Sequence, residues 1–152
     1  MRVSIGSDHR GVQLKAKLAL LLENLGHEVL DEGAHSDQQP VDYPDVAAAV
    51  ARKVSRSQAD RGLLVCGTGI GMAITANKVA GVRASVVTSD ETARLTRQDN
   101  DSNVLALGAK TVPSIDEAMG WLRTWLDTAF AGGRHERRVN KIRDYEARNT
   151  RA

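Results

Sequence analysis

The 152 residues fit one domain of ordinary size, long enough to bury a core without disulfides or a structural metal. With 41% hydrophobic and 26% charged residues the composition excludes wholesale disorder, and 3% aromatic residues supply poorly any recognition that stacks several bases. The net charge of +2 hides an asymmetry: residues 134–152 carry seven basic and three acidic side chains, so a basic end sits on a slightly acidic body and points to an anionic partner such as nucleic acid, a membrane surface or a phosphorylated small molecule.

In chain order, Arg2–Ser7 alternates apolar residues and predicts a short strand. Leu14, Leu18, Leu21, Leu22 and Leu25 fall at helical spacing, so Val12 to Leu25 predicts a helix that Gly26 stops. His27–Asp31 reads as a second strand, and Glu32–Pro44, with Gly, two Pro and two Asp, as a loop. Asp45 is the expected cap of an Ala/Val-rich helix running to about Ser57. Arg61–Cys66 is a buried strand leading through Gly67-Thr68-Gly69-Ile70-Gly71 into a helix over Met72–Lys78. Val82–Val87 is the fourth strand, and Ser89 or Asp90 caps a helix to about Gln98. Asn103–Leu107 is the fifth strand. Ser114–Phe130 is a helix whose Ser114 and Glu117 suit a capping box. After the break at Ala131-Gly132-Gly133, residues 134–149 form a basic helix with an apolar stripe of Val139, Ile142 and Tyr145. Five strands alternating with helices predict an α/β fold: a Rossmann-like three-layer sandwich with a five-stranded parallel sheet, in a single domain over residues 1–152.

Cys66 is the lone cysteine, which excludes an intrachain disulfide and suits a reducing compartment. The first residues lack an apolar stretch of signal-peptide length, and the densest apolar run, residues 18–22, is far short of the ~20 residues of a membrane span. A cytoplasmic protein is expected.

Ligands of open parallel sheets bind outside the carboxyl ends of the strands. Those ends carry Asp8-His9, the segment from Cys66 to Gly71, and Thr88-Ser89-Asp90. Three glycines between a strand and a helix let backbone amides approach an anion. The spacing GxGxG is neither a Walker loop nor the dinucleotide fingerprint, and it equally suits a turn needed only for tight packing. Cys66 suits a general base, or an inert small hydrophobe. Asp8-His9 suits hydroxyl and anion binding, or a helix cap. Arg134 and Arg138, four residues apart, share a helix face that fits one phosphate or a solvated basic surface.

Taken in register, SDHRG at 7–11, DYP at 42–44, CGTGIG at 66–71, ANK at 76–78, GVRA at 81–84, TRQDNDSNVLALG at 96–108 and GGRHERRV at 132–139 are specific. The chain resembles the B-type ribose-5-phosphate isomerases, in the family that includes the galactose-6-phosphate isomerase subunits. The resemblance implies reversible aldose–ketose isomerisation of a phosphorylated monosaccharide, without metal or organic cofactor. It implies Cys66 as the base between carbons 1 and 2 and Thr68 as an aid to proton movement between the two oxygens. It implies amides of Gly67, Gly69, Ile70 and Gly71 on the enediolate, Asp8, Tyr43 and Asn100 on sugar hydroxyls, and His9, Arg134, Arg138 and Lys110 on the phosphate. It further implies a homodimer, alone or paired into a dimer of dimers, with a shared site and the basic helix packed on the partner.

Asp99 departs from the family, many of whose members carry at that position a His that opens the furanose ring. A carboxyl is ordinarily ionised at neutral pH and donates no proton. Three readings follow: burial restores a proton to Asp99, His9 or His135 takes over, or the substrate needs no opening, as a tetrose 4-phosphate does not. Two other function classes compete. A non-catalytic phosphometabolite-binding protein would use the same loop and arginines without needing Cys66. Nucleic-acid binding through the basic tail is opposed by the interspersed acids, the apolar stripe and the shortage of aromatics, so neither nucleic acid nor membrane is expected as a partner.

Overall fold

The computed structural model describes residues 1–149; Arg151 of the basic end lies outside them. Five parallel strands, β1 (Arg2–Ser7), β2 (Glu28–Asp31), β3 (Arg61–Cys66), β4 (Ala84–Val86) and β5 (Val104–Gly108), form one sheet in the order β2-β1-β3-β5-β4. Helices are α1 (Val12–Asn24), α2 (Tyr43–Ser55), α3 (Ile70–Ala76), α4 (Asp90–Asn100), α5 (Ile115–Asp127) and α6 (Arg134–Asn149).

The strand period sorts the core into two sides. Val3, Ile5, Leu63, Val65, Leu105 and Leu107 face α1, α4 and α5, where Trp125 is fully buried. Leu64, Cys66, Val104 and Ala106 face α2 and α3. Continuous apolar runs such as Leu63–Cys66 are what a sheet covered on both faces requires. Together these sides make the expected three-layer sandwich.

Element ends differ from the sequence expectation where caps decide. Helix α2 begins at Tyr43 after Asp42, with Pro44 in its first turn, so Asp45 is a first-turn acid and not the cap. Pro is preorganised for that first turn, which sets the start three residues earlier. Gly69, at φ +78°, precedes α3, which therefore starts at Ile70 and ends at Ala76. Ser89 is the cap of α4, in a reciprocal box with Thr92. Ser114 accepts from the Glu117 amide at 3.1 Å, one half of the expected box. The fourth strand keeps only Ala84–Val86 of the predicted Val82–Val87, and α5 ends at Asp127, before the predicted Phe130. No helix among the described residues is long and apolar enough to cross a membrane.

Candidate active site

From β1 the chain runs outward to β2 and returns to β3 on the other side of β1, so the sheet reverses direction at the β1/β3 boundary. A crevice opens there beyond the carboxyl ends, as topology requires. The cleft measures about 420 Å³ and is lined by Asp8, Tyr43, Cys66, Gly67, Thr68 and Lys110, with Arg10, Ile70, Gly71 and Ile74 around them.

The backbone builds this cleft. Cys66 ends β3 with its thiol buried, and the Gly69 amide donates to its Sγ at 3.1 Å. That bond fixes the sulfur against the loop that follows. The Ile70 amide donates to Thr68 Oγ1 at 3.3 Å, leaving the hydroxyl at the surface. The turn after β5 clamps the same segment: Ala109 and Lys110 amides donate to the carbonyls of Cys66 and Gly67 at 2.7 and 2.9 Å. Gly71 has a steric cause, since a Cβ there would lie 2.6 Å from the Tyr43 ring. That contact seats the ring over the start of α3.

Asp8 is buried, and its Oδ1 accepts from the amides of Arg10 and Gly11 at 2.9 and 3.2 Å. It closes the turn that leads into α1, whose N-cap is Gly11 and not Asp8, and it lines the cleft. His9 does not line the cleft. Its Nδ1 accepts from the Val41 amide at 3.2 Å, and the ring borders a neighbouring cavity with Arg10 and Gln13. Arg10 is a cleft residue that the sequence reading passed over; with Lys110 it flanks Gly67, and both side chains come within 3.7 Å of where a Gly67 Cβ would stand. Its signal was a cation inside the SDHRG segment.

Asp99, Asn100, Arg134 and Arg138 are not in this cleft. The reason is topological. Helix α4 runs back from the carboxyl edge and ends at Asn100, just before β5. The Gly62 amide at the start of β3 donates to the Asn103 carbonyl. Cys66 lies four residues farther along β3, roughly 13 Å at ~3.3 Å per residue. Asn100 thus sits at the amino edge of the sheet and Cys66 at the carboxyl edge. Helix α6 joins Asn100 there: the Ala131 amide donates to the Gln98 carbonyl at 3.0 Å, and His135 Nε2 lies 3.4 Å from Asp99 Oδ1.

This second region is built by charged side chains. Asp101, in the left-handed conformation at φ 47°, pairs with Arg97 at 2.8 Å and Arg83 at 3.0 Å. Arg97 is buried and also donates to the Ser102 carbonyl at 2.6 Å. Burial pulls Arg83 below the ordinary guanidinium range, and Asp101 pulls it back. Trp125 Nε1 donates to Ser102 Oγ at 2.9 Å, tying the turn to the core. Of the expected α6 stripe, Val139 is buried, while Ile142 and Tyr145 are 50% and 69% exposed. They border a cavity of about 590 Å³ that also reaches Asn100.

Residues 3–142 match the ribose/galactose isomerase family. The chain is 42% identical over 147 residues to ribose-5-phosphate isomerase B of Escherichia coli, covering 97% of each chain. It is 36% identical over 147 residues to D-erythrulose-4-phosphate isomerase of Pectobacterium atrosepticum, covering 96% of this chain and 95% of that one. The structure of Clostridium thermocellum ribose-5-phosphate isomerase B superposes with a TM-score of 0.95 at 46% identity, covering 98% of this chain and 99% of that one.

Proposed function

The chain belongs to the ribose/galactose isomerase family and is a sugar-phosphate isomerase, and from that premise we propose that it interconverts ribose 5-phosphate and ribulose 5-phosphate through an enediolate formed over Cys66. The observation that carries this reading is the thiol at the end of β3, held by the Gly69 amide beside a glycine-rich loop in the sheet's crevice.

Cys66 takes the proton from carbon 2 of the open aldose and returns it to carbon 1. Negative charge develops on the two oxygens as the proton leaves. Amides of Gly67 and Gly71 stabilise it, joined by those of Gly69 and Ile70 once these release Cys66 Sγ and Thr68 Oγ1, and one such donor is worth about 2.7–4 kcal/mol. The Thr68 hydroxyl carries the proton between the oxygens. Asp8 and Tyr43 hold sugar hydroxyls, and Lys110 draws the phosphate to the cleft with Arg10 beside it. His9, which borders the adjoining cavity with its Nδ1 taken by the Val41 amide, offers Nε2–H to the phosphate beside Arg10.

The active unit of this proposal is a homodimer. Asn100, Arg134 and Arg138 stand a strand's length from the Cys66 of their own chain, so they serve the cleft of a second copy. Exposed Ile70 and Ile74 at the cleft rim, and Ile142 and Tyr145 on α6, supply apolar surface for the contact. Arg134 and Arg138 of each copy then meet the phosphate in the other's cleft.

A second substrate is favoured by one residue. Asp99 and the D-erythrulose-4-phosphate isomerase relative together support a tetrose 4-phosphate, whose blocked 4-hydroxyl cannot close a five-membered ring. Assaying tetrose, pentose and hexose phosphates for conversion, with proton exchange into D2O followed alongside, ranks these substrates. A Cys66→Ala chain that kept every activity would sink the isomerase mechanism and leave a binding protein.

A further inference from the structure

An aldopentose 5-phosphate closes into a furanose through its 4-hydroxyl. In that form carbon 1 is a hemiacetal, and the proton on carbon 2 is not acidic. A group that opens the ring must act before Cys66 can. The region that holds Asn100, Arg134 and Arg138 contains one side chain able both to take and to give a proton near neutrality, His135. Its ring is 12% exposed, and its Nε2 lies 3.4 Å from Asp99 Oδ1. Nδ1 has no hydrogen-bond partner among the described residues. Two further ties hold residues 99 and 135 together: Ala131 to Gln98 between the elements, and the His135 amide to the Gly132 carbonyl at the start of α6.

We propose that His135, oriented by Asp99, opens the sugar ring in the cleft of a second copy; this rests on the pentose phosphate isomerase reading above. The Asp99 carboxylate beside Nε2 favours the Nε2–H tautomer in the assembled site, which leaves the Nδ1 lone pair for the sugar. Nδ1 accepts the proton of the anomeric hydroxyl as the C1=O1 double bond forms and the C1–O4 bond breaks. The same proton passes from Nδ1 to O4, giving the free 4-hydroxyl. One proton moves from O1 to O4, and His135 returns to its starting form. The transient imidazolium faces the Asp99 carboxylate, which stabilises it. No protonated group is needed at position 99, so an aspartate there is a positioning residue and not a defect.

The pair would also serve as a strut between α4 and α6, and a substrate comparison separates the two roles. Ribose 5-phosphate requires opening. Ribulose 5-phosphate does not, because its 5-hydroxyl is phosphorylated and no five-membered ring forms. Turnover of the first is compared with exchange of the carbon-1 proton of the second into D2O. His135→Gln is expected to lower ribose 5-phosphate turnover about 100-fold or more, and exchange from ribulose 5-phosphate by no more than about threefold. Asp99→Asn is expected to give the same split, about tenfold, and Asp99→His in the His135→Gln chain to restore turnover. Equal losses in both reactions, or a loss in neither, overturn the proposal. So does a wild-type chain that exchanges ribulose 5-phosphate but does not turn over ribose 5-phosphate, which leaves the isomerase reading standing. A wild-type chain that does neither brings down the pentose reading itself.

Discussion

The two edges of the sheet are built by opposite means. At the carboxyl edge, peptide groups and glycines shape the cleft, with Asp8, Arg10 and Lys110 set around them. At the amino edge, Arg83, Arg97 and Asp101 hold the last turn of α4 by charge, and α6 docks on it. A peptide loop places donors with little reorganisation, which suits charge that appears only during reaction. Long cationic side chains suit a phosphate whose charge is permanent. The difference teaches that one sheet carries a peptide-built cleft at one edge and a charge-built helix end at the other, which the proposed dimer would bring together as halves of one site.

Breaking the carboxyl half has the largest expected effect. Cys66→Ala removes the proposed base, and turnover on the best phosphosugar should fall by about 10²–10⁴ with the circular dichroism spectrum unchanged. Mixing sharpens the comparison further. A Cys66→Ala chain and an Arg138→Ala chain, each nearly inactive, should regain roughly a quarter of wild-type activity after unfolding and refolding together, since half of randomly assorted dimers are mixed and each has one intact site. Absence of recovery would place both halves of the site in one chain.

Stability probes the amino half. Asp101→Asn leaves two largely buried guanidiniums without their carboxylate and should cost about 2 kcal/mol, read as a lower urea midpoint at constant slope. Gly71→Ala presses on the Tyr43 ring and should cost about 1–3 kcal/mol, with a raised KM where stability is restored by lower temperature. The smallest effect is expected from Arg10→Ala: a KM a few-fold higher at low salt, converging on wild type as ionic strength screens the charge.

Much of this was legible in the sequence because it is local. Apolar runs and periodicity marked all five strands and six helices, and the segment from Cys66 to Gly71 identified its own cleft. Pro44, by its first-turn preference, marks the start of α2 more directly than Asp45 does. Strand order was not legible. Nothing in Val104–Gly108 says that it pairs with β3 and leaves β4 at the edge, since both strands are short and apolar. Spacing alone also could not show that Asn100 and Arg134 lie at the far edge from Cys66, because that separation follows from the direction of α4 and not from any residue in it.

The interior position of β5, between β3 and β4, has a consequence for synthesis. A ribosome releases β3 some forty residues before its neighbour Val104–Gly108 exists, as the order of the elements dictates. Until then one edge of Leu63-Leu64-Val65-Cys66 is an unpaired apolar strand. Such an edge templates pairing with other chains. Nascent chains stopped before residue 104 should therefore be caught by chaperones or aggregate, whereas those stopped after residue 108 have the whole sheet available to close.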